Sequence, residues 1–185
     1  DSFAAQKNYL ISKCTHEWVL ILDADERLED ALKYSIRTAI ENSLCDAFLI
    51  SRKNFIFGKH LKHGASGGDH VLRLFRKGNT SFVNDVHEEA RVSVAVGRLQ
   101  GGALLHYSTP DFSSYVRKLN RYTDIESGMI KGRRKFVLFR LVAQPPAEFV
   151  WRYIFRLGFL DGIEGFLYAV LGSVYTFVKY AKAVT

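Results

Sequence analysis

Two aspartates separated by one small residue, Asp23-Ala24-Asp25, follow the apolar run Trp18-Val19-Leu20-Ile21-Leu22. Carboxylates at i and i+2 on a turning backbone can converge on one hard divalent cation. Mg²⁺ or Mn²⁺ held in that way also grips substrate phosphates. The same pair suits a plainer role, a polar strand end in which one aspartate caps the next helix. A second acidic cluster follows downstream, Asn84-Asp85-Val86-His87-Glu88-Glu89. A carboxylate beside an imidazole there suits a general base acting on a hydroxyl, or else a solvated turn. His106 ends the apolar stretch Leu104-Leu105 and completes a Mn²⁺ shell only if the fold carries it to Asp23 and Asp25. Arg73 and Arg76 flank Leu74-Phe75, and Lys118 and Arg121 lie one helical turn apart. Such cations neutralise a diphosphate, or form a solvated basic face. Neither a Gly-x-Gly-x-x-Gly nor a Gly-Lys-Ser/Thr phosphate loop occurs.

These residues need elements to position them. The run 18–22 reads as a strand buried on both faces, with its acids emerging at the carboxyl end, where α/β sheets hold their ligands. Residues 3–14 read as a helix, and Leu28, Leu32, Ile36 and Ile40 recur at i+4 as an amphipathic helix ending near Asn42. Ala47–Ile50 opens a strand, Phe55–Lys59 a hairpin or flap, and 60–68 a Gly/His-rich loop. Val71–Arg76 alternates as a strand and turns at Lys77-Gly78-Asn79. Short strands are expected at 81–83, 92–96 and 103–106, and a helix over 112–131. Pro145-Pro146 is expected to start a helix with Phe149, Val150, Tyr153, Ile154 and Leu157 on one face, broken at Gly158 and Gly162.

At 185 residues and 48% apolar content, the chain buries one sizeable core and is not disordered. Its net charge of +7 is unevenly placed. Residues 1–114 hold 14 Lys/Arg and 14 Asp/Glu, whereas residues 115–185 hold 12 and 5. That imbalance points to an anionic neighbour, lipid or nucleic acid. Gly165–Val178 is 14 residues without a charge, shorter than the roughly 18 that span a bilayer, and suits a helix lying at a membrane surface or one packed on the domain's own core or on a partner. Cys14 and Cys45 fit no metal or redox spacing and read as reduced thiols. The opening Asp-Ser-Phe, without Met or leader, reads as the start of a fragment.

Taken in order, Phe3…Gln6-Lys7-Asn8, Trp18–Leu28, Arg73-Leu74-Phe75-Arg76, Val86-His87-Glu88 and His106-Tyr107-Ser108 resemble family 2 glycosyltransferases. The resemblance is nearest to the bacterial lipopolysaccharide-core and cell-envelope glucosyltransferase-like branch. Gly158-Phe159-Leu160-Asp161-Gly162 and Tyr180-Ala181-Lys182 are similar to the membrane-proximal tail of that branch. The resemblance implies an α/β fold: a partial GT-A, Rossmann-like mixed sheet lacking its N-terminal βα units, then C-terminal amphipathic helices. It implies a catalytic part over 1–110 and a basic, helical, membrane-proximal tail over 111–185. Asp23 and Asp25, with His106, would hold Mg²⁺ or Mn²⁺ on a nucleotide-sugar donor, most simply a UDP-sugar. Arg73, Arg76, Lys118 and Arg121 would face the diphosphate, and Glu88, with Asp85 beside it, would deprotonate the acceptor. The reaction implied is inverting hexose transfer to a lipid-linked or core-oligosaccharide acceptor. The implied setting is the cytoplasmic face of a bacterial membrane, with an anionic lipid surface rather than nucleic acid as neighbour. A piece without the nucleoside-binding units is expected to be inactive alone and to leave apolar surface bare. The competing reading is a non-catalytic, basic membrane-surface module, which uses only the tail.

Overall fold

The computed structural model describes residues 3–42, 45–66, 68–83, 89–130, 132 and 134–185. The chain forms two compact units, one of residues 1–52 and 69–106, the other of residues 53–68 and 107–185.

In the first unit, helix α1 (Phe3–Lys13) leads into strand β1 (Trp18–Leu20), and β2 (Glu26–Leu28) precedes helix α2 (Asp30–Asn42). The main sheet also holds β3 (Ala47–Ile56), β4 (Lys59–His60), β5 (Asp69–Arg76), β8 (Val96–Arg98) and β9 (Leu104–Thr109). Its order is β1-β5-β3-β9-β2, with β4 and β8 also paired to β3. A separate antiparallel pair is formed by β6 (Thr80–Val83) and β7 (Glu89–Val92). β1 runs antiparallel to β5, β5 to β3 and β2 to β9, whereas β8 runs parallel to β3. The result is the mixed α/β sheet followed by helices that the resemblance implies.

Two apolar clusters hold this unit. Ala4, Ile11, Val19, Ala47, Phe75 and Phe82 form one; Leu32, Ile36, Phe48, Ile50, Leu74 and Leu104 form the other. Asn8 ties α1 to β6: its amide donates to the Phe82 carbonyl and its oxygen accepts the Phe82 N–H, both at 2.8 Å.

Three expectations change. β1 is three residues long, and Leu22 is exposed rather than buried on both faces, because the chain turns out of the sheet after the Ile21 N–H reaches the Arg73 carbonyl. Leu28 lies opposite Leu104 in β2, so the second helix starts only at Asp30. Pro145 and Pro146 do not start a helix. They sit inside α4 (Arg134–Val150), where a proline normally costs about 3 kcal/mol. Burial of Pro145 and packing of α4 on the last helix offset that cost, and the Pro145 carbonyl accepts the Ser173 hydroxyl at 2.8 Å.

In the second unit, the far end of β3 forms a hairpin with β4 through Phe57-Gly58, whose φ angles of 53° and 80° suit a type I′ turn. Helix α3 (Phe112–Met129) begins at Asp111, whose carboxylate accepts the Ser114 N–H at 2.7 Å. After α4 come a π-helical turn (Trp151–Phe155), Leu157 in the left-handed region and a 3₁₀ turn (Gly158–Asp161). Helix α5 (Gly162–Val184) follows. Among the described residues no single helix is long and apolar enough to cross a membrane. Arg134–Phe155 and Gly158–Val184, bent by 70°, pass that test only as a pair.

Candidate functional site: the acidic turn after β1

The turn Asp23–Glu26 is closed from both sides. The Glu26 N–H donates to the Asp23 carbonyl at 3.0 Å, and the Asp23 N–H donates to Glu26 Oε2 at 3.1 Å. Glu26 is buried, so its charge needs partners. Arg73 supplies one: its Nη2 donates to Glu26 Oε1 at 2.7 Å and to Asp23 Oδ2 at 2.5 Å. Arg52 Nη1 lies 3.7 Å from the same Glu26 oxygen and pairs with Asp69 as well. The β1–β5 and β2–β9 registers produce this geometry. They set Arg73 beside the start of the turn and place His106 opposite Glu26.

The two aspartates therefore do different things. Asp23 is clamped by Arg73, with Lys7 Nζ 3.6 Å from its other oxygen. Burial alone would push its carboxyl up, but Arg73, Lys7 and His106 outweigh this and hold it below the usual carboxylate range. Arg73 shows the mirror effect: burial opposes its charge, while Glu26 and Asp23 raise its pKa. Its Nε is buried without a hydrogen-bond partner. Asp25 makes a different contact, its Oδ2 3.5 Å from His106 Nε2. The condition set for His106 is met.

No cluster of three or more His, Cys, Asp or Glu side chains encloses a metal among the described residues. The donor set fits an open site instead. A carboxylate and an imidazole would supply two ligands to Mn²⁺ and leave its other positions to phosphate oxygens and water, whereas Mg²⁺, which takes oxygen ligands, would use the carboxylate alone. Asp25 and His106 would be the protein ligands, whereas the oxygens of the expected ligand Asp23 face Arg73 and Lys7.

The other expected residues are placed less centrally. Arg76 lies opposite Trp18, at the far end of β1, where it pairs with Glu17 and Asp46 and covers the Trp18 ring at 5.0 Å. Lys118 and Arg121 are on α3 in the second unit, and Lys118 donates to the Ser108 carbonyl at 2.6 Å. Asp85, His87 and Glu88 lie outside the described residues. Sequence reasoning gave no role to Lys7, Glu26 or Arg52. Only Glu26 carried a signal, as a carboxylate three residues after Asp23 with reach back to its amide.

No family model matches the chain. It is 28% identical over 185 residues to the lipopolysaccharide core biosynthesis glycosyltransferase LpsC of Rhizobium meliloti, covering 97% of this chain and 68% of that protein. It is 25% identical over 193 residues to uncharacterized glycosyltransferases of Rickettsia typhi and Rickettsia prowazekii, covering 97% of this chain and 66% of each. The chain thus spans about two thirds of the length of the relatives it matches. Over almost all of its length the chain is thus similar to proteins named as bacterial glycosyltransferases.

Proposed function

We propose that this chain carries the donor-phosphate and acceptor part of an inverting glycosyltransferase that moves a hexose from a nucleotide sugar to a hydroxyl of a lipid-linked or core-oligosaccharide acceptor. The observation that carries this reading is the Asp25–His106 pair beside an Asp23 already neutralised by Arg73 and Lys7. A bound Mg²⁺ or Mn²⁺ would supply charge for the departing diphosphate. The chain's own groups do the rest. Glu26, held by Arg73, keeps the turn closed. Arg73 and Lys7 cancel the charge of Asp23, so the turn does not repel an incoming diphosphate. Glu88 is assigned to take the proton of the acceptor hydroxyl, with Asp85 as its supporting carboxylate, since in-line displacement needs a base behind the attacking oxygen. The basic segment 115–185 suits an acceptor carried on an anionic membrane surface, which supports assigning the reaction to the inner face of a bacterial membrane.

The test measures Mn²⁺- or Mg²⁺-dependent release of nucleoside diphosphate from a panel of sugar nucleotides, using the full-length gene product. One donor should be turned over, and Asp25→Asn and Glu88→Gln should each lower the rate by about a hundredfold or more. Absence of turnover, with binding to anionic vesicles kept, favours the non-catalytic membrane module.

A further inference from the structure

The break between α4 and α5 carries a dense set of bare apolar side chains. Within 13 residues Trp151, Ile154, Phe155, Phe159, Leu160 and Ile163 are exposed, Phe155 at 68% and Ile163 at 63%. Water normally penalises such a patch, and a lipid or protein partner removes the penalty. The segment is not a loose loop. Asp161, 6% exposed, accepts the Lys62 and His63 N–H groups at 3.2 and 2.8 Å and faces His63 Nδ1 at 3.1 Å. Lys59 Nζ donates to the Asp161 carbonyl and to Glu164, both at 2.8 Å. The Gly64 N–H and the Arg156 carbonyl join at 2.8 Å, and Arg156 Nε returns to the Gly64 carbonyl at 3.1 Å. Loop 59–66 therefore staples the knuckle into one shape.

Charge decides the partner. Each of the five carboxylates in 115–185 has its own donor: Asp124 with Lys182, Glu126 with Lys179, Glu148 with Arg152, Asp161 with His63 and Glu164 with Lys59. The segment keeps its cationic excess, and exposed Lys62 and Arg156 stand in and beside the knuckle itself. A rigid apolar wedge containing tryptophan and phenylalanine and bordered by cations matches the interfacial layer of an anionic bilayer. Among the described residues the helices on either side of the knuckle pass the test for a span only as a pair bent by 70°, with the knuckle at the bend.

We propose that the knuckle Trp151–Ile163 is the membrane-insertion wedge of this protein, entering the headgroup–acyl boundary of anionic bilayers while Lys62 and Arg156 meet lipid phosphates. The proposal rests on the membrane-facing part of the function proposed above and names the segment that would carry it. Preorganisation by Asp161 means that little chain entropy is lost on insertion.

The experiment uses the full-length gene product with its other cysteines replaced by serine and a polarity-sensitive fluorophore on L160C. Vesicles of phosphatidylglycerol mixed with phosphatidylcholine, and of phosphatidylcholine alone, are the probes. Insertion predicts a blue-shifted label quenched by shallow nitroxide lipids with the anionic vesicles, and a weaker response with the neutral ones. It also predicts a loss of partitioning of roughly tenfold or more for the pair F155D/L160D. These side chains are exposed, and circular dichroism checks that the fold is kept. A label that stays in water while the protein sediments with vesicles overturns the wedge, as does absence of vesicle binding. A blue shift that grows with protein concentration without lipid assigns the patch to a second copy and also overturns it. Donor turnover in F155D/L160D, measured with a soluble acceptor, separates the two proposals. If it is kept while partitioning is lost, both stand. If the parent protein turns over no donor, the catalytic reading fails and the wedge is still decided by the label.

Discussion

At the scale of single residues, the site rests on a buried carboxylate, Glu26, and the arginine that answers it. Removing one member of a buried ion pair strands the other, which typically costs about 3–5 kcal/mol. Arg73→Met should lower stability by that order, read as the urea midpoint, because Arg52 at 3.7 Å is too distant to replace the 2.7 Å bond. Asp25→Asn should behave differently. It leaves the clamp on Asp23 untouched and should change stability by no more than about 0.5 kcal/mol, while removing the metal-dependent activity. A pair of variants that lose stability and activity together would show that the acidic turn is structural.

At the scale of elements, the α4–α5 break depends on Asp161. Burial pushes its carboxyl up, but the His63 and Lys62 N–H groups and the His63 ring outweigh this and hold it below the usual range. A carboxyl depressed in the folded state stabilises fully above its unfolded value, about 3.9, and loses that contribution as pH falls through the lower folded value. Asp23, depressed by its cations against burial, has the same sign, weakened by solvent screening. The urea midpoint should therefore be level from pH 7 to about 5 and fall below about 4. Asp161→Asn should cost about 1–3 kcal/mol near neutrality and make that fall shallower. Gly165 tests the same break sterically. Alanine in a helix interior usually gains about 1 kcal/mol over glycine, but a Cβ at 165 would overlap the Gly158 carbonyl oxygen and press on Asp161. Gly165→Ala should instead destabilise, by about 1–3 kcal/mol in thermal or urea unfolding.

At the scale of the whole molecule, cationic excess and bare apolar surface occur in the same stretch of chain. Partition onto phosphatidylglycerol vesicles should thus carry an electrostatic part that salt screens and an apolar part that it does not. Raising ionic strength from about 0.1 to 1 M shortens the Debye length from about 10 to 3 Å. Vesicle sedimentation across that range should show binding that weakens and then levels off. Complete loss of binding at high salt would leave the exposed side chains of the α4–α5 break without a part in it.

By itself, the sequence determined what depends on local chemistry. The apolar run 18–22 announced a strand, the period of Leu32 and Ile36 a helix, and Phe55–Lys59 a hairpin or a flap, since each is written in neighbouring residues. Asp23 and Asp25 were legible as a pair for the same reason. Only the tertiary structure decided that they differ. Arg73 and Lys7 reach Asp23 from 50 and 16 positions away, and His106 reaches Asp25 from 81. Strand register sets those meetings, and register is a property of the assembled sheet. The same holds for Pro145-Pro146, which start a helix by local rules but are carried within one when a packed neighbour offsets their cost. It also holds for Asp161, the acceptor on which loop 59–66 is held from about 100 positions away.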